Sequence, residues 1–254
     1  MQTDVLDHGY VELVETWGSD ERIIQAARMS TGKDFQGWGS RCKKCGHTFD
    51  DKINRCDLID CGGTESAPGD EKLLKFLWDH KHATPFEMAG LTIEVKAPIM
   101  VFREWHRHRT QSYNEMSARY TPLPDENYVP SLERLMTRGT ANKQASAAAG
   151  SKVLDEETAC AWRADLVRVY RDLQDVYERG LYWGVPKELA RLPVPVGRYS
   201  KMRASANLRN WLAFVTLRSD GAAQWEIRQY SDAVGKIISE KFPRTWAVYS
   251  VGSA

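Results

Sequence analysis

The stretch REWHRHRTQSYNEMSARY, residues 103–120, carries the strongest indication of fold and chemistry in this chain. It places four arginines and two histidines beside hydroxyl and amide side chains within one short segment. The guanidinium group of arginine can pair with phosphate oxygens through two parallel hydrogen bonds. We therefore expect this segment to bind an anionic ligand. For the Arg-His-Arg triplet taken alone, the alternative is a solvated helix end whose cations complement the helix dipole.

The residues that precede this stretch predict a helix. Residues 97–102 contain an early proline followed by strong helix formers, which favours a helix that begins near Pro98 and runs into the arginines. Arg103 and Arg107 would share one face of that helix. A neighbouring face, expected to pack, carries residues spaced i, i+4 and i+7: Val101, Trp105 and His108.

Ser117 follows the Arg-His-Arg triplet at 107–109 after seven residues, with Asn114 and Glu115 between them and Arg119 just beyond. This pattern resembles the signature of the flavin-dependent thymidylate synthases, the ThyX family. Further blocks match in family order, so the resemblance extends over most of the chain: AARMS (26–30), HATPFE (82–87), ARLP (190–193), NLR (207–209), LR (217–218) and AQWEIR (223–228).

The resemblance implies an α+β fold, with an antiparallel sheet packed with helices and no Rossmann unit, and one catalytic domain over residues 1–254. It implies that reduced FAD supplies a hydride, that methylenetetrahydrofolate supplies a one-carbon unit, and that C5 of dUMP is methylated. NADPH would then reduce the flavin again. The family also implies a homotetramer whose active sites combine residues of more than one subunit.

Roles are assigned by the resemblance residue by residue. The positions that match FAD contacts are Ser30, His82, Thr84, Glu87, Arg107, His108, Arg109, Asn114, Glu115, Asn207 and Arg209. Those that match nucleotide contacts are Glu104, Glu115, Ser117, Arg119, Arg191 and Arg218. Arg218 is the expected catalytic residue, because a guanidinium against the pyrimidine edge would stabilise negative charge as C5 becomes nucleophilic. A salt bridge from Arg218 to Asp220 or Glu226 is the alternative from sequence alone.

Four positions depart from the family pattern. Glu104 stands where the family usually has glutamine, so it would either repel phosphate or pair with a neighbouring arginine. Three histidine or amide positions have become apolar: Met88, Ala213 and Ala222. These changes keep open a flavin-dependent 5-hydroxymethylase acting on dUMP or dCMP. A relaxed pocket could let water intercept the transferred one-carbon unit, and it could accept dCMP, whose exocyclic amine is a donor where uracil has an acceptor.

Four of the five cysteines lie within twenty residues, as Cys42-x2-Cys45 and Cys56-x4-Cys61. Four thiolates on two tight turns satisfy tetrahedral zinc, so we interpret residues 36–66 as a zinc-ribbon-like insertion with a structural metal. Disulfides, a redox pair, or His47 in place of one thiolate are the alternatives. Cys160 is expected to be a buried small hydrophobe.

A zinc ribbon on a catalytically dead fold, binding nucleic acid or a partner, is the hypothesis of another class. Acidic residues largely cancel the ribbon's lysines, which makes nucleic acid an unfavoured partner. The whole chain has 35 basic and 34 acidic side chains, a net charge of +1. It has no apolar run of membrane length and no charged leader with an apolar centre at its first residues. We therefore expect a cytoplasmic protein.

Hydrophobic spacing predicts strands at 4–14, 91–95 and 199–206, and helices at 20–28, 71–80, 154–179, 207–217 and 223–241. Ser19 or Asp20 should cap the helix at 20–28, and Asn207 the helix that follows it. Residues 137–152 have little to bury and are predicted to be a mobile loop. One face of the helix at 154–179 is expected in the core: Leu166, Val169, Leu173 and Val176.

Overall fold

The structure is a computed structural model that describes residues 1–49, 56, 58–63, 65–137 and 153–252. Its strands are β1 (Gln2–Val5), β2 (Gly9–Trp17), β3 (Ser40–Cys42), β4 (Thr48–Phe49), β5 (Ser66–Pro68), β6 (Gly90–Pro98), β7 (Ser112–Glu115) and β8 (Tyr199–Asn207). Its helices are α1 (Asp20–Arg28), α2 (Glu71–Asp79), α3 (Ile99–Trp105), α4 (Leu132–Met136), α5 (Glu156–Tyr182), α6 (Lys187–Ala190), α7 (Leu208–Arg218), α8 (Trp225–Lys241) and α9 (Pro243–Gly252). Two 3-10 helices span Met29–Thr31 and Thr84–Met88.

The predicted α+β class is confirmed. The strands form a five-stranded sheet in the order β1-β2-β6-β8-β7 and a three-stranded sheet in the order β4-β3-β5. Within the described residues there is no parallel dinucleotide-binding sheet. By its contacts the chain falls into two compact units. The first comprises 1–14, 92–205 and 214–234, and the second comprises 15–91, 206–213 and the residues from Gly235 onward.

The first unit is built around Trp105 at the end of α3. The predicted helix near Pro98 is confirmed as α3, with Pro98 as its N-cap residue. Trp105 is fully buried, and its ring lies 4.5 Å from that of Phe214. Its indole N–H donates to the buried Gln111 at 3.0 Å, which satisfies the only polar atom of the ring. The helix ends here, so Arg107 and Arg109 follow α3 rather than lying on it.

The strand predicted at 4–14 is in fact a hairpin. Leu6 has a φ of +59°, so the chain reverses there, and β1 pairs antiparallel with β2 from Gln2 opposite Glu12 to Val5 opposite Gly9. The prediction was wrong because the positive φ of the turn falls on Leu6, an apolar residue that fits the alternating pattern and rarely adopts this conformation. Gly9 is required by close packing, because a Cβ there would lie 2.1 Å from the hydroxyl of Tyr230.

Helix α5 does not bury the face that its sequence predicted. Val169 and Val176 are 40% and 45% exposed, and Leu166 and Leu173 are half-buried. The side chains that α5 does bury are Ala159, Gln174 and Tyr177. Cys160 is exposed as well, contrary to expectation. The predicted loop at 137–152 lies outside the described residues except for Thr137.

The second unit contains a helix that the sequence prediction missed. The sequence analysis predicts no helix beyond residue 241, but Pro243 is the first residue of α9, a position where its fixed φ suits a helix. Asp20, the first residue of α1, caps α9. Its carboxylate accepts from the backbone N–H groups of Arg244 (2.9 Å) and Thr245 (3.1 Å) and from the Thr245 hydroxyl (2.6 Å). Ser19 caps α1 as predicted, through Arg22 N at 3.3 Å.

The three-stranded sheet is attached to α1 and α2 by acidic side chains. Gly39 N donates to both carboxylate oxygens of Glu71 at 2.8 and 2.9 Å, and Gln36 N donates to Asp70 at 2.7 Å. Arg28, the last residue of α1, also pairs with Asp70, which is fully buried. The segment that leads into β3 is therefore held by hydrogen bonds to charged groups, which are stronger than hydrogen bonds between neutral groups.

Candidate active site

A cavity of about 570 Å³ opens in the first unit. Four of the predicted nucleotide-binding residues line it together: Glu115, Ser117, Arg119 and Arg191. Three polar residues that the sequence prediction did not assign line it as well: Arg103, His106 and Ser200. The apolar part of its wall comes from α3 and from the segments on either side: Ile99, Phe102, Met116, Ala118, Leu123, Leu192, Val194, Pro195 and Val196.

Local hydrogen bonds fix the walls of this cavity. Strand β7 pairs with β8 as far as Glu115 opposite Met202, and Met116 N then donates to Lys201 O at 2.8 Å. The chain turns at Ser117, whose carbonyl accepts from Tyr120 N at 3.0 Å. The start of α3 is tied to the opposite wall, because Ile99 N donates to Arg198 O at 3.0 Å.

The cavity is basic. Arg103, Arg119 and Arg191 are exposed, and within the described residues none of these three forms an ion pair with a carboxylate. Arg119 Nε lies 3.3 Å from Ser117 Oγ, so these two predicted ligands are held side by side. Glu115 is the one acid in the lining. Three guanidinium groups around a partly apolar cavity suit a ligand with an anionic end and an uncharged body.

A second cluster in the same unit centres on Arg218, at the end of α7. Arg218 Nε donates to His108 Nε2 at 2.9 Å, and its two terminal nitrogens donate to Glu104 Oε2 at 2.9 Å and to Glu104 O at 2.6 Å. Arg218 is 8% exposed. The predicted alternative partners are engaged elsewhere, since Asp220 accepts from Ala222 N and Glu226 pairs with Arg134. Glu104 therefore pairs with an arginine, one of the two outcomes expected for it.

His108 accepts a hydrogen bond from Arg218, so in this network its Nε2 is unprotonated and the ring proton lies on Nδ1. Burial of the ring, and then the positive charge of Arg218, lower the pKa of His108 to about 4. The imidazole ring lies 4.9 Å from that of Phe214, and the Tyr113 hydroxyl donates to His108 O at 2.7 Å. His108 is thus neutral at physiological pH and holds Arg218 from one side.

The other predicted flavin residues of the first unit are not part of this cluster. Arg107, Arg109 and Asn114 are exposed, and Asn114 lies on β7 opposite Arg203. Arg107 and Arg109 lie on the segment that joins α3 to β7, and among the described residues no hydrogen bond links their side chains to Arg218.

The predicted flavin residues of the second unit lie in three places. Glu87, in the 3-10 helix that Thr84 begins, pairs with Arg209 on α7 at 2.5 Å. Asn207 Oδ1 accepts from Asn210 N at 3.0 Å, so the predicted cap of α7 is confirmed. The remaining two are exposed: Ser30, whose hydroxyl donates to Ala27 O, and His82, whose ring is edge-on to Phe76.

The four cysteines of the predicted metal site do come together. The Sγ atoms of Cys42, Cys45, Cys56 and Cys61 all lie within 4.8 Å of one another, with Cys42 to Cys61 and Cys45 to Cys56 at 3.6 Å. Sulfurs around tetrahedral zinc are about 3.8 Å apart, given a Zn–S bond of about 2.3 Å. His47 is not in this group. The pKa of the Cys42 thiol is lowered to about 6, and the largest cause is a hydrogen bond from the backbone of Cys45.

Gly63 shows how tightly this group is built. A Cβ at Gly63 would lie 2.6 Å from Cys42 Sγ and 3.2 Å from Cys61 Sγ. Gly46 and Gly62 have φ angles of +77° and +56°, which glycine adopts without strain. The donor set and the turns around it fit one four-coordinate ion with no open position.

Among the described residues, no helix has the length and apolar character needed to cross a bilayer.

Comparison with known proteins gives consistent matches. The chain matches the family model described as Thymidylate synthase complementing protein, Thy1, over residues 12–244. It is 37% identical over 245 residues to a flavin-dependent thymidylate synthase of Thermus thermophilus, covering 96% of this chain and 77% of that one. The corresponding protein of Thermosipho melanesiensis is 34% identical over 249 residues, covering 97% and 92%.

A solved structure agrees with these relatives. The UMP/dUMP methylase PolB from Streptomyces cacaoi, bound with 5-Br UMP, superimposes with a TM-score of 0.72 at 25% identity, over 98% of this chain and 96% of that one. Its complex with 5-Br dUMP gives a TM-score of 0.73 at 26% identity. The fold, the basic cavity and the matched length together show that the chain belongs to the Thy1 family and is an enzyme of the flavin-dependent thymidylate synthase kind.

Proposed function

We propose that this enzyme methylates C5 of a pyrimidine nucleoside monophosphate, with dUMP as the first candidate, using FAD, methylenetetrahydrofolate and NADPH. The observation that carries the proposal is the single cavity lined by Glu115, Ser117, Arg119 and Arg191. The names of the relatives support the reaction, and the UMP/dUMP methylase complexes support a uracil nucleotide.

The three arginines of the cavity would bind the phosphate. Arg103, Arg119 and Arg191 are exposed and free of carboxylate partners within the described residues, so no ion pair has to be broken before they bind an anion. Ser117 would add a hydroxyl donor beside Arg119. The apolar wall would then face the base.

Arg218 would stabilise the pyrimidine as it gains negative charge. Three of its five N–H groups are used by His108 and Glu104, which leaves one N–H on each terminal nitrogen for a ligand. Because its partners hold the guanidinium group in place, little reorganisation is needed when charge develops. Glu104 would act as a positioning residue and carry a substrate contact only through its remaining oxygen.

FAD, when bound, would supply the hydride, and methylenetetrahydrofolate the carbon. In the first unit the donor set suits a pyrophosphate, since Arg107 and Arg109 are exposed cations and Asn114 an exposed amide. Glu115 and His108 would contact the flavin from the same unit. The second unit would contribute its own set: Ser30, His82, Thr84, Glu87, Asn207 and Arg209.

Zinc would be the resident ion of the four-cysteine group, with a structural role because four thiolates leave no open position. Residues 36–66 would then be an insertion within one catalytic domain spanning 1–254. Lys43 pairs with Glu65 at 3.0 Å, and Lys44 Nζ donates to Cys61 O. These contacts weaken the positive patch that a nucleic-acid-binding ribbon would need.

The assembly would be a cytoplasmic homotetramer with shared active sites. The unburied face of α5 supports an interface between copies, because its apolar side chains follow spacings of four and three residues, as in a coiled-coil seam. These are Trp162, Leu166, Val169, Leu173 and Val176, three of which are at least 40% exposed.

An anaerobic turnover assay tests the reaction. Purified protein with FAD, NADPH and methylenetetrahydrofolate is offered dUMP, UMP or dCMP separately, and products are identified by mass. We expect the product formed from dUMP to be about 14 Da heavier than dUMP, the mass of one added CH₂ unit. The Arg191→Ala variant should lose turnover mainly through a raised KM, whereas Glu240→Ala, an exposed glutamate on α8, should match the wild type.

The second candidate is a flavin-dependent 5-hydroxymethylase of dUMP or dCMP, and Glu104 is the observation that favours dCMP as a substrate. Its carboxylate beside Arg218 could accept from the exocyclic amine of cytosine while the arginine donates to the ring. A hydroxymethyl product, or turnover of dCMP alone in the same assay, would overturn the synthase and support this alternative.

A further inference from the structure

Ser200 is a buried residue of the cavity wall whose hydroxyl has no partner. It is the second residue of β8, lines the basic cavity and is 2% exposed. Within the described residues its Oγ makes no hydrogen bond. Buried side-chain hydroxyls are nearly always hydrogen-bonded, and an orphaned one carries the full cost of its desolvation. Such a group in a cavity wall indicates a missing ligand atom.

The position of Ser200 along β8 directs it toward the ligand side of the strand. Ser200, Met202 and Ala204 are buried, whereas Lys201 and Arg203 between them are exposed. Side chains of a strand alternate between its two faces, so Ser200 and Met202 share one face. The sulfur of Met202 lies 3.2 Å from His106 Nε2, and His106 also lines the cavity. Ser200 is thus the residue of this face of β8 that lines the cavity, and its neighbour on the face, Met202, contacts a second lining residue.

The backbone around Ser200 is held too firmly for the hydroxyl to find an internal partner by moving the chain. The neighbouring Arg198 is fully buried and donates to Asn127 (3.0 Å), to Pro124 O (2.8 Å) and to Gln174 (2.7 Å). Tyr199 N donates to Glu126 O at 2.9 Å. Rotation about the Ser200 side-chain bond is the freedom that remains.

We propose that Ser200 Oγ hydrogen-bonds an atom of the uncharged sugar and base portion of the bound pyrimidine nucleotide. The inference rests on the proposed function, and it adds a binding residue to the cavity. The exposed guanidinium groups of Arg103, Arg119 and Arg191 match the phosphate, whereas Ser200 is buried and uncharged. The uncharged sugar and base are thus the part of the ligand that reaches Ser200, and they supply the hydrogen-bond partner that its hydroxyl lacks.

The test compares two serines of the same strand, Ser200→Ala and Ser205→Ala. Ser205 lies outside the cavity lining, and its Oγ accepts from Thr92 Oγ1 at 3.0 Å. Binding of dUMP, UMP and inorganic phosphate to the purified full-length protein is measured by calorimetry, and the melting temperature is measured without ligand.

We expect Ser200→Ala to weaken dUMP binding about 3- to 10-fold, the range expected for one neutral hydrogen bond, and to leave phosphate binding unchanged. Its melting temperature should equal or exceed that of the wild type, because the variant removes an unpaired buried hydroxyl. Ser205→Ala should show the reverse, with a lower melting temperature and unchanged dUMP affinity.

Three results would overturn the proposal. Equal dUMP affinity in Ser200→Ala and wild type would mean that the ligand does not contact the hydroxyl. A matching loss of phosphate affinity would place the phosphate at Ser200. A lower melting temperature with unchanged binding would assign the hydroxyl to the fold. Failure of the wild type itself to bind dUMP or UMP would instead remove the proposed function, which separates the two.

Discussion

At the scale of single residues, the chemistry depends on how Arg218 is held. Its guanidinium group is nearly buried, and its charge is balanced by a carboxylate, Glu104, that is 41% exposed. Burying a charge is costly unless it is paired, and loss of one partner leaves the other uncompensated. The family resemblance identified Arg218 and Glu104 separately, but only the structure joins them, because they are 114 residues apart.

Replacing Glu104 removes the carboxylate that balances the charge of Arg218 while leaving most of the hydrogen bonds that position the guanidinium group. In Glu104→Ala, Arg218 keeps its hydrogen bonds to His108 and to the backbone carbonyl of residue 104, but it loses the carboxylate that balances its charge. We expect about a 10- to 100-fold lower kcat/KM and a loss of about 1–2 kcal/mol of stability, less than for a fully buried pair because Glu104 is partly solvated. Glu104→Gln retains an acceptor and should recover most of the stability. Steady-state kinetics and thermal melts check this, and an unchanged kcat/KM in Glu104→Ala would contradict it.

His108 makes the stability depend on pH. Its pKa is lowered from 6.5 to about 4 in the folded state by burial and by Arg218. Between these two values the unfolded chain binds more protons than the folded one, so stability falls as the pH falls from 6.5 toward 4. We expect His108→Asn, which keeps a neutral acceptor that cannot be protonated, to show a flatter fall in melting temperature between pH 7 and pH 5. Parallel curves for variant and wild type would contradict this.

At the scale of secondary-structure elements, sequence patterns located most of the long helices and strands but missed one chain reversal and one helix. α3, α7 and β8 were predicted because capping residues and apolar spacing agreed there. The reversal at Leu6 was missed because the turn falls on an apolar residue, and the helix at Pro243 was missed because its capping residue, Asp20, is distant in sequence. Arg103, His106 and Ser200 were not assigned to the site, although Arg103 and His106 lie within the quoted basic stretch, where i and i+3 spacing on α3 could have found them.

The small sheet of β3, β4 and β5 should depend on its metal. Among the described residues, the buried apolar cluster of this sheet consists of Phe49 and three of the cysteines, so we expect metal binding to supply much of its folding free energy. Purified protein should carry about one zinc per chain by elemental analysis, the count for a four-thiolate site. Cys42→Ser should lose it. Cys160→Ser, which changes an exposed cysteine outside the group, should keep it, and equal zinc content in both variants would contradict the assignment.

At the scale of the whole molecule, the sequence predicted the fold class and family membership, since both depend on motifs spread along the chain. It could not predict which apolar face of α5 stays unburied, because periodicity shows that a face packs and not against what. The same pattern that predicted a core face supports the proposed interface, because Val169 and Val176 are exposed.

A charge on that face should disrupt the proposed assembly. Val176→Glu places a carboxylate in the apolar seam of α5, and burial of an unpaired charge there disfavours association. We expect a smaller species by light scattering after size exclusion, with helical content unchanged. Asp175→Lys, on the exposed face next to it, is the control and should assemble as the wild type does. Two variants of equal mass would contradict the interface.

Asp20 has a consequence for how the protein is made. The carboxylate that begins α1 is satisfied by Thr245, 225 residues later in the chain. Until the ribosome has released the residues of α9, a chain with α1 already packed would bury an unpaired carboxylate, so closure of the second unit waits until α9 has been synthesised. A nascent or prematurely terminated chain that stops before α9 would therefore remain open to chaperones and proteases, so α9 distinguishes chains that contain it from shorter ones.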